Sequence, residues 1–352
     1  MMQSRELTSS LRNLPKCTNR RNQHTVWSLS KPCATSKERV IVMSQQVVFK
    51  KNKWLPYILL APQIVITIVF FFWPAITSLR LALYRTTPFG DRTFFVGSQN
   101  FQRLFASPQY QRSLITTLMF SASVTLLGVA ISLCIALLLN QAVRGRTVYR
   151  TAILWPYGVA LPISGILWMF MMHPTFGIVP YFFEGIIDFN FDWILNGNAA
   201  MLLVILTAIW TNLGYNVAFF LAGLQAIPKS LQEAALVDGA TSLKAIRYIT
   251  LPLLSPTTFF LLVMNVVYSL FDTFGLIDAV TKVIYSATAI TSHKGSSECP
   301  GNATEILIYK AYKDGIISLN LGSSAAQSVI LMVLATLLTV FQFGFIERKV
   351  SY

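Results

Sequence analysis

One polar stretch, 228–252, carries the residues whose types and spacing point to a specific task. Ser230 and Glu233 have the three-residue spacing of a capping box at a helix start. Gly239 predicts the turn that ends this helix, and Pro252 predicts the end of a second short helix. A plain connector between helices needs only about two to eight residues. Two short helices in about twenty-five residues therefore indicate a docking surface outside the bilayer.

Catalytic and metal-binding patterns are absent from the sequence. No GxxxxGK[ST] loop is present to cradle ATP phosphates, and no Ser-His-Asp set or pair of carboxylates in a cleft is evident. The four cysteines form no CxxC pair and have no nearby histidine. We therefore predict no catalytic residues, no cofactor and no metal. If the chain is a transporter, the energy for transport must come from another polypeptide or from an ion gradient.

A second set of polar residues lies inside strongly apolar runs. Such side chains are costly in hydrocarbon and often mark a functional path. They also form interhelical hydrogen bonds, worth about 0.6 kcal/mol each, and both interpretations stay open for each residue. As a group they predict a hydrophilic translocation path lined by Tyr215, Asn265, Tyr268, Asp272 and Gln327.

Asp272 bears on the choice between the two energy sources. An ion-coupled transporter needs ionisable residues near mid-membrane. Asp272 is the one clear candidate in the sequence, and it has no basic partner within the apolar runs. A single acid makes a poor proton relay, so the sequence favours transport driven by a separate ATPase.

The elements that must position these residues are membrane spans. The chain has 352 residues, of which 54% are hydrophobic and only 12% charged, too few charges to cover a soluble protein of this length. A helical span needs about twenty apolar residues. Pro156 and Pro162 predict a kink in the third span. We predict an all-α, polytopic membrane protein with six transmembrane helices, at about 55–79, 113–139, 151–172, 201–226, 254–279 and 324–346.

The net charge of +14 follows the pattern of a membrane protein, not of a nucleic-acid-binding one. Basic residues concentrate in the first 54 positions and in short loops between the apolar runs. The loop 173–200 carries three acids and no lysine or arginine, whereas the loop 80–112, with five arginines, is an exception. With six spans, this distribution predicts that 228–252 and both termini are cytoplasmic.

The stretch 228–252 resembles the EAA loop of binding-protein-dependent ABC importer permeases. All fixed positions of that loop are present: Glu233, Ala234, Ala235, Gly239, Ile249, Leu251 and Pro252. In that family the loop forms coupling helices that fit a cleft on a cytoplasmic ATPase. The resemblance implies this role for these residues and for Asp238, and it implies a type I ABC importer permease fold.

Further stretches resemble the sugar-type branch of this family, and within it the A-type permeases of sn-glycerol-3-phosphate importers. They include Trp54-Leu-Pro-Tyr57, Leu154-Trp-Pro-Tyr157, Phe271-Asp-Thr-Phe274 and Ser323-Ser-Ala-Ala-Gln-Ser328. The likeness breaks at about 281–302, where the family has a short loop. We therefore expect either an external insertion or a sequence irregularity there.

The first 43 residues are polar and basic, with no hydrophobic periodicity and no apolar core of a secretory signal. We predict that 1–43 is a disordered extension and that 44–352 form the ABC transmembrane domain with 228–252 as its coupling loop. Two alternatives stay open: the extension is a cytoplasmic tail, or translation starts at Met43. Mass spectrometry of the N-terminus distinguishes them.

The resemblance also implies function and partners. It implies a permease subunit in the lipid bilayer of the bacterial inner membrane, working with two copies of an ATPase subunit, a second permease subunit and a periplasmic substrate-binding protein. It implies sn-glycerol-3-phosphate as cargo; maltose-like or other sugars, or a secondary transporter, are the alternatives. No lysine or arginine lies within a predicted span, so site chemistry does not decide between these cargoes.

Overall fold

A computed structural model of the chain describes the residues 55–87, 93–141, 145–184, 192–291 and 303–346. The predicted extension 1–43, the start at Met43 and the end of the predicted insertion, 292–302, lie outside them. The chain divides into two units, residues 1–66 and 67–352. In the first unit the described residues are the helical turns that begin at Leu55.

Helices make up nearly all of the described chain. Before residue 192 they are α1 Leu55–Thr67, α2 Trp73–Ala82, α3 Gln99–Ala106, α4 Pro108–Asn140, α5 Arg146–Leu154, α6 Leu161–Met171 and α7 Ile178–Glu184. After it they are α8 Gly197–Ala226, α9 Lys229–Val237, α10 Ser242–Ala245, α11 Leu251–Leu253, α12 Ser255–Val267, α13 Phe274–Thr291, α14 Leu307–Tyr312 and α15 Leu321–Phe341. A 3-10 turn follows α5 at Trp155–Gly158, and π turns lie at Ile68–Phe72, Ile246–Thr250, Tyr268–Asp272, Lys313–Ile317 and Gln342–Ile346.

A short antiparallel hairpin is the departure, within the described residues, from the predicted all-α class. Strand β1, Tyr84–Thr86, pairs with β2, Thr93–Phe95, with Tyr84 opposite Phe95. Aromatic and β-branched residues favour this pleated pairing. Asn100 holds β1 in place, because its Nδ2 donates to the carbonyls of Ala82 at 2.8 Å and Tyr84 at 3.0 Å.

The predicted membrane spans are of two kinds in the structure. The first kind is a bent helix pair, and there are two: Thr147–Gly158 with Leu161–Met171, bent by 106°, and Ser242–Leu253 with Ser255–Asp272, bent by 65°. Counting each pair as one span gives six among the described residues, the predicted number. The four crossings made by one continuous helical stretch are Pro56–Ala82, Pro108–Asn140, Gly197–Ala226 and Leu321–Gly344.

The sharp bend in the third span lies at the two prolines that predicted it. Pro156 lies in the 3-10 turn, and Pro162 is the second residue of α6, where its missing N–H needs no helical acceptor. Helix α13 packs closely against this bend. A Cβ added to Gly275 would lie 2.8 Å from Cγ of Pro162.

The second bent span breaks later than predicted. The helix does not end at Pro252 but continues to Leu253, since the wider π turn before it accommodates the proline. The break falls at Leu254, just before Pro256. Pro256 has no N–H to donate to the carbonyl four residues earlier. Ser255 Oγ donates to that carbonyl, of Pro252, at 2.6 Å.

This same span, the fifth, ends before its predicted end at 279. Thr273 separates the π turn after α12 from α13, so residues 274–279 belong to a helix of their own. This helix continues to Thr291, which places the first part of the predicted insertion, 281–291, in regular structure. Thr273 Oγ1 donates to the carbonyl of Ser269 at 2.9 Å, which caps the turn internally.

The core lies mainly between α4, α8 and α12. The fully buried side chains there include Phe120, Leu203, Phe220 and Leu261. Helix α8 also meets the end of α5 without an intervening side chain. A Cβ added to Gly214 would lie 2.8 Å from the carbonyl oxygen of Ile153. This close approach fixes α5 against α8; α8 lines both cavities described next, and α5 lines the second of them.

Candidate functional site

The polar stretch 228–252 forms the predicted helix, turn and second helix. Helix α9 ends in a Schellman turn, in which the N–H of Ala240 donates to the carbonyl of Ala235 at 2.9 Å. Gly239 has the left-handed φ of +79° that this turn requires. Nothing lies within 4 Å of the place a Cβ would take. The left-handed backbone conformation therefore requires glycine at this position, although the surrounding space would admit a larger side chain.

The predicted capping box is not formed. Helix α9 begins at Lys229, so Ser230 lies inside the helix and not at its capping position. Pro228 precedes the helix, and its carbonyl accepts from the N–H of Leu231 at 3.2 Å. Glu233 is exposed and has no hydrogen bond or ion pair with another described residue. Its carboxylate is therefore available to a partner.

The coupling stretch presents an apolar edge to the surroundings. Val237, Leu243 and Tyr248 have exposed fractions of 87%, 78% and 75%. Large apolar side chains this exposed in a polar stretch are candidates for contact with a partner. The residues predicted for coupling divide into exposed Glu233, Ala234, Asp238, Gly239 and Pro252, half-buried Ile249 and Leu251, and buried Ala235.

A cavity of about 470 Å³ lies where the third span breaks. It is bounded by the 3-10 turn after α5, by α8, and by α12 with the π turn that follows. Three of the five predicted path residues lie in its wall: Tyr215, Tyr268 and Asp272. The complete lining is Tyr157, Val159, Ala160, Leu161, Thr211, Asn212, Tyr215, Met264, Val267, Tyr268 and Asp272.

The Asp272 carboxylate has no hydrogen bond or ion pair with another described residue. The aromatic residues beside it are held in place. The Tyr268 hydroxyl donates to the carbonyl of Ala208 at 3.3 Å, and Tyr157 stacks on Tyr215 with ring centroids 5.6 Å apart. The described lining includes no lysine, arginine or histidine. The cavity therefore combines an unpaired carboxylate with neutral hydroxyl and amide groups.

Aromatic rings continue from this cavity along α8 and α12. Tyr215 lies 4.7 Å from Phe219, and Phe219 lies 5.2 Å from Phe260, measured between ring centroids. Together with Tyr157, these rings form a series that runs from the central cavity toward the ends of α8 and α12 that adjoin 228–252. We call Tyr157, Tyr215, Phe219 and Phe260 the aromatic series.

Asn265, a fourth predicted path residue, lies behind the cavity wall. Its Nδ2 donates to Asn216 Oδ1 at 2.8 Å, and its Oδ1 accepts from Asn212 Nδ2 at 2.9 Å. All three side chains are buried. They join α8 to α12, and Asn212 alone of the three reaches the cavity.

Gln327, the fifth, lies in a separate buried network of charges. Its Nε2 donates to a carboxylate oxygen of Asp314. Lys310 lies 3.8 Å from Asp314 and 3.6 Å from Glu305, and Lys313 lies 3.2 Å from Glu305. This network ties α14 and its π turn to α15. The structure thus does not bring Asn265 or Gln327 into the cavity that the other three line.

A second cavity, of about 230 Å³, lies between α5 and α8. Arg150 is its one charged residue among those described, and no pattern in the sequence singled it out. Arg150 falls one position before the predicted third span, so a search for charges inside spans omits it. The cavity is lined by Arg150, Leu154, Val217, Ala218, Leu221, Ala222 and Gln225.

Metal chemistry has no candidate centre in the described part of the chain. No group of three or more histidine, cysteine, aspartate or glutamate residues is placed there to hold an ion. The polar groups of the two cavities suit recognition of a polar solute by hydrogen bonds and charge.

Bent membrane spans, a central cavity and a helix-turn-helix loop suit a membrane permease. The family of binding-protein-dependent transport system inner membrane components matches residues 159–352. The chain belongs to this family, and it is a multi-pass protein of the inner membrane. This confirms the family that was predicted from the sequence.

Individual relatives match almost their whole length. The sn-glycerol-3-phosphate transport system permease protein UgpA of Rhizobium meliloti (strain 1021) is 49% identical over 308 residues, which are 88% of this chain and 99% of that protein. UgpA of Escherichia coli O157:H7 is 44% identical over 311 residues, again 88% of this chain and 99% of that protein.

A solved structure supports the fold. One chain from the crystal structure of a bacterial ABC transporter involved in the import of the acidic polysaccharide alginate aligns with a TM-score of 0.70 and 23% identity. The alignment covers 88% of this chain and 99% of that one. The predicted ABC importer permease fold is therefore confirmed.

Proposed function

We propose that this chain is a permease subunit through which an ATP-driven importer moves sn-glycerol-3-phosphate across the inner membrane. The observation that carries the proposal is the 49% identity to a permease of that name along 99% of its length.

The central cavity suits the glycerol end of this cargo. Hydroxyl groups of the cargo donate to the unpaired Asp272 carboxylate, and the hydroxyls of Tyr215 and Tyr268 add polar contacts. A phosphate would be repelled by Asp272 and finds no cation in the described lining. The cargo therefore passes this subunit with its glycerol end toward Asp272 and its phosphate directed elsewhere.

The stretch 228–252 couples this path to ATP hydrolysis. The exposed apolar edge at Val237, Leu243 and Tyr248 docks on a cytoplasmic ATPase, and the free Glu233 carboxylate pairs with a basic residue there. Two ATPase copies, a second permease subunit and a periplasmic binding protein complete the importer. Both termini are then cytoplasmic, as the basic residues of the loops predict.

Uptake of radiolabelled sn-glycerol-3-phosphate in a strain that lacks this gene tests the proposal. We expect uptake to return when the full chain is supplied on a plasmid, and to require the ATPase subunit. Uptake that is independent of the ATPase would contradict it and favour an ion-coupled transporter.

Maltose-like sugars are the second candidate cargo, because the aromatic series offers flat rings on which sugar rings stack. The same cells therefore receive radiolabelled maltose in parallel. Restored uptake of maltose without uptake of glycerol phosphate would replace the proposed cargo and keep the permease role.

A further inference from the structure

The Arg150 side chain is buried at two of its nitrogens without an acceptor. Nε and Nη2 are shielded from solvent and make no hydrogen bond within the described chain. A guanidinium keeps its charge at every physiological pH. Shielded N–H groups of a charged side chain are unfavourable without a partner, so these two donors favour an acceptor that the described residues do not supply.

The orientation of the unpaired atoms indicates the shape of the missing acceptor. Nε and Nη2 form one edge of the guanidinium, with two N–H groups that point the same way. That edge matches two oxygens of one phosphate or carboxylate group in a bidentate contact. The described lining of the cavity holds no carboxylate, and apart from Arg150 only Gln225 is polar. A bound group is therefore the candidate for this acceptor.

The room available is larger than a water molecule needs. The cavity has a volume of about 230 Å³, whereas a water molecule in the liquid occupies about 30 Å³. The apolar walls from Leu154 and Leu221 suit a ligand with a carbon portion beside its charged group. A phosphate ester has this combination of chemistry.

Both cavities lie along α8, the second one beside α5 and the central one beside the turn that follows α5. Arg150 lines the second cavity, and Tyr157, seven residues later in the 3-10 turn, lines the central one. On α8, Tyr215 lines the central cavity, and Ala222, about 10 Å further along the helix, lines the second one. Arg150 also lies at the end of a span, where phospholipid headgroups are found.

We propose that the Arg150 cavity is a binding site for a phosphate group. Two sources bring such a group to this position: the headgroup of an anionic phospholipid, and the phosphate of the transported solute. The second source rests on the proposed function, and the first does not.

The lipid arm of the test uses phosphatidylglycerol. The full chain, with the subunits that purify with it, is placed in nanodiscs of phosphatidylcholine with added phosphatidylglycerol, and bound lipid is counted by native mass spectrometry. Arg150→Gln should weaken phosphatidylglycerol binding about tenfold or more, because a bidentate charged contact is lost. Arg103→Gln removes an exposed arginine outside the cavity and should leave it unchanged.

The cargo arm measures uptake of sn-glycerol-3-phosphate by the same variants. If the cargo supplies the phosphate, Arg150→Gln reduces uptake about tenfold at equal amounts of protein in the membrane, while lipid binding stays at the wild-type value. If wild-type protein transports no glycerol phosphate, the proposed function fails, and the lipid arm still decides whether the site exists.

Two results would overturn the site. One is Arg150→Gln with unchanged lipid binding and unchanged uptake. The other is loss of a co-purifying subunit with phosphate binding intact, which would make Arg150 the partner of a carboxylate in another chain. If Arg150→Gln does not accumulate in the membrane, Arg150→Lys is measured in its place. Lysine keeps the charge but loses the bidentate edge of the guanidinium. Wild-type phosphatidylglycerol binding together with wild-type uptake in this variant would contradict the proposal.

Discussion

Gly239 is the residue at which the coupling stretch turns, and its φ of +79° is available to glycine at no steric cost. Gly239→Val should strain the turn by about 1–2 kcal/mol and misplace α9 relative to α10. We expect ATP hydrolysis stimulated by substrate, and uptake, to fall about fivefold to thirtyfold while the spans still insert. ATPase assays on the reconstituted importer measure this.

Gly97 provides the matched control. Its φ is +56°, and here too nothing lies within 4 Å of an added Cβ, but it lies beside the hairpin and outside the coupling stretch. Gly97→Val imposes the same kind of strain elsewhere. Equal loss of coupling in both variants would show that general destabilisation, and not the position of the turn, explains the effect.

Asp272 yields the second prediction. Asp272→Asn keeps the size of the side chain and removes the charge that accepts from the cargo hydroxyls. Uptake of sn-glycerol-3-phosphate should fall about tenfold with assembly intact. Faster uptake would mean that the carboxylate faces the phosphate and repels it, contrary to the orientation we propose.

Asp278 is the control for Asp272. It accepts from Lys282 at 2.9 Å, a hydrogen bond that raises the pKa of Lys282, and it does not line the cavity. Asp278→Asn should therefore leave uptake within about twofold of wild type, since solvent screens an ion pair this exposed.

Residue types identified polar positions within the apolar runs but not the direction in which each side chain faces. Asn265 and Asp272 are both polar residues in one apolar run, yet one joins two helices and the other lines a cavity. Seven residues on a helix return to nearly the same face, so periodicity gave no reason to separate them. The packing of α8 against α12 determines which is which, and sequence alone does not contain it.

At the scale of elements, Gly214 sets how closely α5 and α8 approach. Gly214→Ala would place a Cβ 2.8 Å from the carbonyl oxygen of Ile153 and 3.0 Å from Cα of Leu154, both backbone atoms. Overpacking of this kind costs about 1–3 kcal/mol. We expect the Tm of the purified protein to fall by about 2–10 °C, measured by thermal unfolding of the purified chain.

Gly158→Ala is the comparison for that change. Gly158 ends the 3-10 turn, and no atom lies within 4 Å of an added Cβ. Its Tm should stay within about a degree of wild type. A similar loss of stability in both variants would contradict the role given to close helix approach.

The bends show how far local rules extend. Pro156 and Pro162 predicted the bend of the third span, because proline acts on its own turn of helix. Pro252 did not end its helix, since the π turn Ile246–Thr250 accommodates it and Ser255 satisfies its carbonyl. Whether a proline kinks, ends or continues a helix thus depends on neighbouring hydrogen bonds, which sequence spacing does not fix.

At the scale of the whole molecule, six spans require 228–252 to lie opposite the loop 173–200. Asn198 and Ser242 are exposed positions in these two regions. With the four native cysteines replaced by alanine, Asn198→Cys should react with an impermeant maleimide in intact cells. Ser242→Cys should react only after the membrane is opened. Reaction of both from one side would show that the span count or orientation is wrong.

The break at Leu254 gives the fifth span the mechanics of a lever. Leu254 is fully buried, and an added Cβ at Gly223 would lie 2.8 Å from its Cδ1, so the pivot is held against α8. The arm Ser242–Leu253 is about 18 Å long and the arm Ser255–Asp272 about 27 Å. If the two arms turn together about Leu254, a displacement of 1 Å at the end of the short arm moves Asp272, at the end of the long arm, by about 1.5 Å. Distances between spin labels on the two arms and on α8 would measure both displacements.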